Sequence, residues 1–236
     1  MKLKTLYTMD WNWARRYVKK RTIQHLNFWL SDKKAYTGDI HGIPLVLAYF
    51  TPYHHARAKD MIEGKWDEHA LLKVWIEEAK KASVIFDVGG YNGIYGLLAK
   101  KANPNATVYI FEPDPINAFH IRENERLNKV DIRLIPKAAT DYFHDGFINF
   151  SGDGSTGSRV APWGEPVQAT MLRDYGSPDL MKIDIEGHEP EALKGADLTN
   201  TKTIFAELNS EETENILARL GYNMTAYDRN GVFTKV

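Results

Sequence analysis

Asp87, Glu112, Asp184, Glu186 and His188 are the side chains of this 236-residue chain whose types and placement imply chemistry. Asp87 closes the apolar run Val84-Ile85-Phe86, and after Val88 comes the turn Gly89-Gly90-Tyr91-Asn92-Gly93. Glycines let a ligand approach the backbone closely. In a loop of the form G-x-G-x-x-G that ligand is a pyrophosphate seated on a helix N-terminus. A carboxylate at the mouth of such a loop repels a pyrophosphate and attracts a cation. S-adenosylmethionine has a sulfonium, an ammonium and no phosphate, so it suits this loop. Glu112 closes the next apolar run, where an acid accepts the hydroxyls of a ribose. NAD sites use the same acid, so Glu112 alone does not separate the two cofactors.

In the segment LMKIDIEGH, Leu180, Lys182, Asp184 and Glu186 share one face of a strand. A central parallel strand is apolar on both faces, so alternating ionisable groups need partners or a cleft. Asp184 and Glu186, nearest the carboxyl end, would reach a cleft; Lys182 lies deeper and fits an ion pair with Asp184. Pro190 opens the next helix, which puts His188 at its mouth, either as a general base or as an ordinary turn histidine. His54 and His55, read as strand neighbours, point to opposite faces and do not suggest a shared metal. No metal site is expected.

The elements that would position these groups follow from periodicity. Residues 11–31 read as a helix with Trp13, Tyr17 and Phe28 on one face, and residues 36–50 as a β-hairpin. Residues 66–81 place Leu71, Leu72, Val74, Trp75 and Ile76 at helical spacing. From Val84 onward strands alternate with helices. Strand runs begin at Val84, Thr107, Asp131, Leu180 and Thr203, and the last of the intervening helices starts at a Ser210 cap. Residues 144–166 read as a hairpin with a mobile, glycine-rich loop at 151–158 that could serve as a lid. The chain closes on two strands with Asn230-Gly231 as their turn. This alternation implies parallel strands joined by right-handed crossovers, with the ligand at their carboxyl ends. Residues 1–65 form an N-terminal helix and hairpin extension that shapes a substrate pocket or an interface, and 66–236 the ligand-binding domain.

The chain has no cysteine, which excludes disulfides and thiolate metal sites and fits a cytoplasmic protein. No run approaches the roughly 18 apolar residues of a spanning helix, and the first residues do not read as a signal peptide. The net charge of −1 conceals an asymmetry. Residues 1–35 hold nine basic and two acidic residues interleaved with aromatics. Such a segment fits a helix packed on the body, peripheral contact with a membrane, or a lid for an anionic substrate. The remainder is net acidic, which opposes a broad nucleic-acid surface.

The motifs FDVGGYNG, FEPDP followed by Asn124, KAATD and LMKIDIEGHEPEALKGA together resemble the FkbM family of S-adenosylmethionine-dependent methyltransferases. The resemblance runs from about Trp66 to Val236. It implies a class I methyltransferase, α/β with a Rossmann-like sheet of seven mostly parallel strands and an antiparallel C-terminal hairpin. It also implies methyl transfer to oxygen, often on a sugar, glycan or small natural product. By the same resemblance Asp87, Gly89 and Gly93 line the methionine part of the cofactor, and Gly90, Tyr91 and Asn92 complete the loop. Glu112 and Pro113 lie at the ribose, and Lys137-Ala138-Ala139 flank the adenine. Asp184 and Glu186 face the reacting methyl and the acceptor, Asp184 touching the cofactor as well. With His188 they are the candidates for taking the acceptor's proton. Two departures stand out: Tyr91 replaces the Asn of the usual D-V-G-A-N, and Leu172-Arg173-Asp174 replaces L-D-D. The rival readings are an NAD-dependent oxidoreductase, a non-catalytic partner with the same fold, and a nucleic-acid methyltransferase. Asp87 and the lack of a Tyr-x-x-x-Lys relay argue against the first.

Overall fold

The structure, a computed structural model, describes residues 34–50, 52–142, 147–151, 157, 159–160, 164–227 and 229–236. The helix expected over 11–31 lies outside the described residues, as does most of the loop 151–158.

Seven strands form the central sheet. They are β3 (Val84–Val88), β4 (Thr107–Phe111), β5 (Arg133–Ile135), β10 (Leu180–Ile183), β11 (Thr203–Glu207), β12 (Tyr222–Tyr227) and β13 (Asn230–Lys235). Their order is β12-β13-β11-β10-β3-β4-β5. Strand β13 is antiparallel to both its neighbours, and the other pairings are parallel. This is the mostly parallel sheet with an antiparallel C-terminal hairpin that the sequence implies. Helices α3 (Ile94–Ala102), α4 (Pro115–Asn128), α5 (Glu189–Lys194) and α6 (Glu211–Arg219) make the crossovers. Alternate strand residues feed two cores, with Ile85 and Ile110 on one face and Phe86 and Phe111 on the other. Strand order reverses beside β3, so a crevice opens at the carboxyl ends of β3 and β10.

The hairpin of β1 (Lys34–Ile40) and β2 (Ile43–Tyr49) is followed by α1 (Pro52–Ile62), and then by α2 (His69–Ala79). The sequence reading missed α1. His54 and His55 therefore sit on a helix rather than a strand; His54 is buried and His55 exposed. Ile40, Leu45, Leu47 and Met61 join the same apolar cluster as Leu72, Leu97 and Ile110. The hairpin edge is closed by one polar stripe of α4. Ala48 donates its N–H to Asn124 Oδ1 (2.7 Å) and accepts from His120 Nε2 (2.6 Å). Val46 exchanges two hydrogen bonds with the Asn128 carboxamide (3.0 and 2.6 Å). Positions 120, 124 and 128 share a helical face, and 46 and 48 share a strand edge, so the two periods meet in register. An edge that would otherwise expose bare N–H and C=O groups is thereby paired.

Between β5 and β10 the chain builds a second sheet, in which the hairpin expected over 144–166 appears as an antiparallel pair of short strands, while the two strands that flank it were not foreseen. Strands β6 (Ala138–Ala139), β7 (Phe147–Ser151), β8 (Arg159–Val160) and β9 (Glu165–Thr170) lie in the order β6-β9-β7-β8. The expected strand over 131–139 is thus two strands in two sheets. Asn230 and Gly231 are not the final turn: Tyr227 pairs with Asn230 and Ala226 with Gly231 inside the ladder. Among the described residues, no helix is long and apolar enough to cross a membrane.

Burial drives the His120 pKa from 6.5 down to about 3, so the folded ring is neutral and donates through Nε2. A depressed folded pKa gives stability that is complete above 6.5 and lost as pH falls toward 3. We expect urea midpoints to drop between pH 6.5 and 4, and His120→Gln to show a shallower drop; equal slopes would refute the assignment.

Candidate active site

The crevice is a cavity of about 310 Å³. Its walls come from the loops after β3, β4, β5, β10 and β11, from α1 and the turn between α1 and α2, from the first turns of α3 and α4, and from the second sheet through Phe150 and Val160. Gly89 needs its glycine twice over. Its φ is +84°, and an added Cβ would lie 1.9 Å from the carbonyl oxygen of Asp184. The loops after β3 and β10 are therefore in backbone contact. Tyr91 also has a positive φ, +49°, a conformation that an Asn would tolerate more readily. The backbone bends there so that Tyr91 N–H donates to Glu112 Oε2 (2.8 Å).

Glu112 is buried, and its other oxygen accepts from Asp114 N–H (2.9 Å). Burial, with Asp114 nearby, raises its pKa to about 8. Each carboxylate oxygen retains a second lone pair that ligand hydroxyls could use. Asp114 caps α4 by accepting from Ile116 N–H (2.8 Å), with Pro115 at the first helical position. This cap turns Asn117 toward the crevice. Asn117 is 1% exposed and lines the cavity, yet its Oδ1 has no hydrogen-bond partner among the described residues. Sequence reasoning missed Asn117, because one Asn in a helix's first turn is unremarkable until its carbonyl is seen unpaired. Asn124, quoted in the motif, has a structural role: its Nδ2 donates to Asn92 O (2.8 Å), tying the glycine loop to the hairpin.

Asp87 does not lie at the mouth of the loop. It is fully buried, and it accepts from Gly96 N–H (3.0 Å). Its other oxygen lies 3.9 Å from Lys182 Nζ. Burial raises its pKa to about 6 against the pull of Lys182. Asp87 and Gly93 lie behind the wall, whereas Gly89, Gly90, Tyr91 and Asn92 line it. Pro113 and Ala138 line it as well. Lys182 reaches the cavity, donating to Gly89 O (2.8 Å) and pairing with Asp184 Oδ2 at 3.3 Å. The expected ion pair is present, with Asp87 as its second acid.

Strand β10 stops at Ile183, so the alternation does not carry Glu186 onto the face of Asp184. Glu186 takes φ +57° in a turn clasped by Glu189, whose carboxylate accepts from Ile185 N–H (2.7 Å) and Gly187 N–H (3.0 Å). Both Asp184 and Glu186 nonetheless line the cavity, and burial raises the pKa of Glu186. His188 does not line it: its ring faces Thr140 Oγ1 (3.3 Å) and Glu191 (3.6 Å), and burial lowers its pKa. Two further acids in the walls escaped the sequence reading, Glu68 before α2 and Glu207 at the end of β11. Glu207 is held by Asn209 Nδ2, with an oxygen within 4.8 Å of one of Asp184; burial, then the Asp184 charge, raises its pKa to about 8. Asp184, Glu189 and Glu207 bring one oxygen each within 4.8 Å of one another. Glu189 already spends its oxygens on the backbone.

The Methyltransferase FkbM domain model matches residues 87–225, which is more than half of the chain. The chain belongs to the FkbM methyltransferase family. Its cofactor is accordingly S-adenosylmethionine, and the cavity fits it through the bare glycine contact and the unpaired Asn117 carbonyl. The oxidoreductase reading falls with that assignment. Two curated relatives are distant. A hexuronic acid methyltransferase, AglP, of Haloferax volcanii is 28% identical over 138 residues, 54% of this chain. That match spans only 56% of AglP, little more than half its length. A 2-O-methyltransferase, NoeI, of Sinorhizobium fredii is 29% identical over 191 residues, covering 66% of this chain and 77% of the relative. A solved structure assigned as a SAM-dependent methyltransferase from Streptococcus mutans shares the fold at 10% identity. Its TM-score is 0.54, over 86% of this chain and 56% of that one.

Gly89→Ala should separate the loops after β3 and β10. We expect titration calorimetry to show at least a tenfold loss of S-adenosylhomocysteine affinity, with the far-UV spectrum unchanged. Unaltered affinity would show that this close approach does not shape the cofactor seat.

Proposed function

We propose that the protein is an S-adenosylmethionine-dependent O-methyltransferase acting on a hydroxyl of a sugar, glycan or small natural product. The observation that carries this reading is the pair of acids Asp184 and Glu207, at the ends of adjacent strands and open to the same cavity as the glycine loop. AglP supports a sugar acceptor by its hexuronic acid substrate, and NoeI supports oxygen as the methylated atom by its 2-O-methyl transfer.

Bound S-adenosylmethionine supplies a methyl group already activated by the sulfonium. The chain must hold an acceptor oxygen in line, exclude water and remove the hydroxyl proton. Gly89 to Asn92 form one wall of the seat, with Glu112 and Asn117 at the nucleoside. Glu112 accepts the ribose hydroxyls, and Ala138 flanks the base. Asp184 accepts the acceptor's O–H hydrogen bond and takes the proton. Glu207 shares it, because two neighbouring carboxylates hold one proton more readily than either alone. Glu186 orients a second hydroxyl of a polyol. His188, turned toward Thr140 and Glu191, positions the α5 turn and does not act as the base. The reading needs no metal: Asp184 and Glu207 serve as proton acceptors, and Glu189 clasps the backbone of the turn.

A panel of neutral and uronic sugars, assayed by transfer of a labelled methyl group, tests the reading. We expect O-methyl ether products. We also expect Asp184→Asn and Glu207→Gln to lower kcat by about 10²–10⁴-fold while cofactor affinity stays within about threefold. Label on nitrogen or carbon, or full activity in both variants, would overturn it.

A further inference from the structure

Asp87 was the acid expected to meet the methionine part of the cofactor, and the structure buries it behind the cavity wall, beside Lys182. The cofactor's α-ammonium therefore needs another anion. Glu68 stands at the N-cap of α2 but makes no capping bond with its side chain. The carboxylate turns instead to the cavity wall, where Oε2 accepts from Tyr95 O–H (2.6 Å). Among the described residues, no other hydrogen bond reaches this carboxylate. Tyr95 lies against Lys182, whose Nζ is 5.4 Å from its ring centroid, and Lys182 in turn holds Gly89 O. Glu68 is thus placed at the Gly89 end of the cavity.

Around Lys182 the acids outnumber the cations among the described residues, with Arg57 of α1 lining the cavity as well. Lys182 is one cation, and it already faces Asp87 at 3.9 Å and Asp184 at 3.3 Å. Glu68 is a third acid within its field, and Arg229 is a more distant cation that is largely exposed and pairs with Asp67 at 3.8 Å. Burial raises the pKa of Glu68, and Asp184 adds to the rise. A carboxylate withdrawn from water, with a tyrosine hydroxyl as its single donor, gains most from an incoming cation. A ligand ammonium meets that need and brings three donors.

We propose that Glu68 binds the α-ammonium of S-adenosylmethionine, the role that the sequence gives to Asp87. The inference rests on the reading of this cavity as the cofactor seat. It makes the segment before α2, outside the stretch that the family model matches, part of the cofactor site. It also gives Tyr95 a positioning role, through the hydrogen bond that fixes the Glu68 rotamer.

The test is calorimetry on the full chain with two ligands, S-adenosylhomocysteine and its deaminated analogue, in which hydrogen replaces the α-amino group. The wild-type protein should bind the parent at least tenfold more tightly than the analogue. Glu68→Gln keeps an acceptor for Tyr95 but loses the charge. It should weaken the parent at least tenfold, leave the analogue within twofold, and so abolish the discrimination. If the variant weakens both ligands equally, Glu68 only supports the wall and the proposal fails. If it changes neither, the ammonium is held elsewhere and the proposal also fails. Glu112→Ala is the control for the seat itself, and should weaken parent and analogue alike. If it affects neither ligand, the cavity reading falls and takes the proposal with it, an outcome distinct from a Glu68 failure.

Discussion

A lysine in the middle of a parallel sheet is the constraint on which the rest of the site depends. Lys182 pairs in register with Asp87 on one side and Phe205 on the other, in a strand otherwise made of Leu, Met and Ile. An ammonium buried there is untenable without anions and acceptors. It finds Asp87 below, Asp184 above and the carbonyl of Gly89 beside it. Its neighbours raise its pKa despite burial, so it stays charged. Removing any one of these partners leaves a buried charge short of compensation, which is far more destabilising than the intact group is stabilising. The ammonium thereby ties the loop after β3 to the loop after β10 through one side chain.

That tie governs both halves of the chemistry. On the cofactor side, Lys182 anchors Gly89, whose backbone presses against Asp184 so closely that no side chain would fit. On the acceptor side, it holds Asp184 near the end of β11, where Glu207 completes a pair of acids. The acids fall into two groups by what neutralises them. Asp87 and Asp184 answer to Lys182. Glu68, Glu112 and Glu207 are raised by burial, and among the described residues no cation lies in hydrogen-bond contact with them. This second group gains most from a ligand's donors; Asp184 meets Lys182 through Oδ2 and keeps Oδ1 for a ligand as well.

The sheet was legible in the sequence because its signals are local. Apolar runs of strand length, the Asp114-Pro115 start and the Ser210 cap each specify their element within a few residues. Glu112 and the glycine turn were legible for the same reason, since both sit at strand ends. What stayed hidden depends on contacts between distant segments. The second sheet pairs Ala138 with Ala169 and Phe150 with Glu165, and nothing in those short runs announces the partner. Helix α1, rich in His, Arg and Lys, has no clear apolar stripe. It is stable because Ala58 and Met61 reach the core of the main sheet. Asp87 was misplaced by a subtler route. The strand alternation fixes its face, yet only the packing of Gly96 and Lys182 around it shows that this face is roofed over.

The same reasoning bounds how specific the acceptor reading is. Family membership and the cavity walls after β3, β4 and β5 support the proposed methyl transfer. In the proposed reading the acceptor meets different material: the ends of β10 and β11 and the inserted sheet. Three carboxylates at one end of the cavity present many hydrogen-bond acceptors and few donors, which suits a partner rich in hydroxyls. They would disfavour a second anion beside them, unless Arg229 and Lys137, which also line the walls, offset that charge. In the proposed reading a uronic acid is accommodated only where its carboxylate meets one of these cations and its hydroxyls meet Asp184 and Glu207. A neutral sugar carries no such orientation requirement. The chain's own charge distribution thus makes orientation, rather than affinity, the quantity that separates acidic from neutral acceptors.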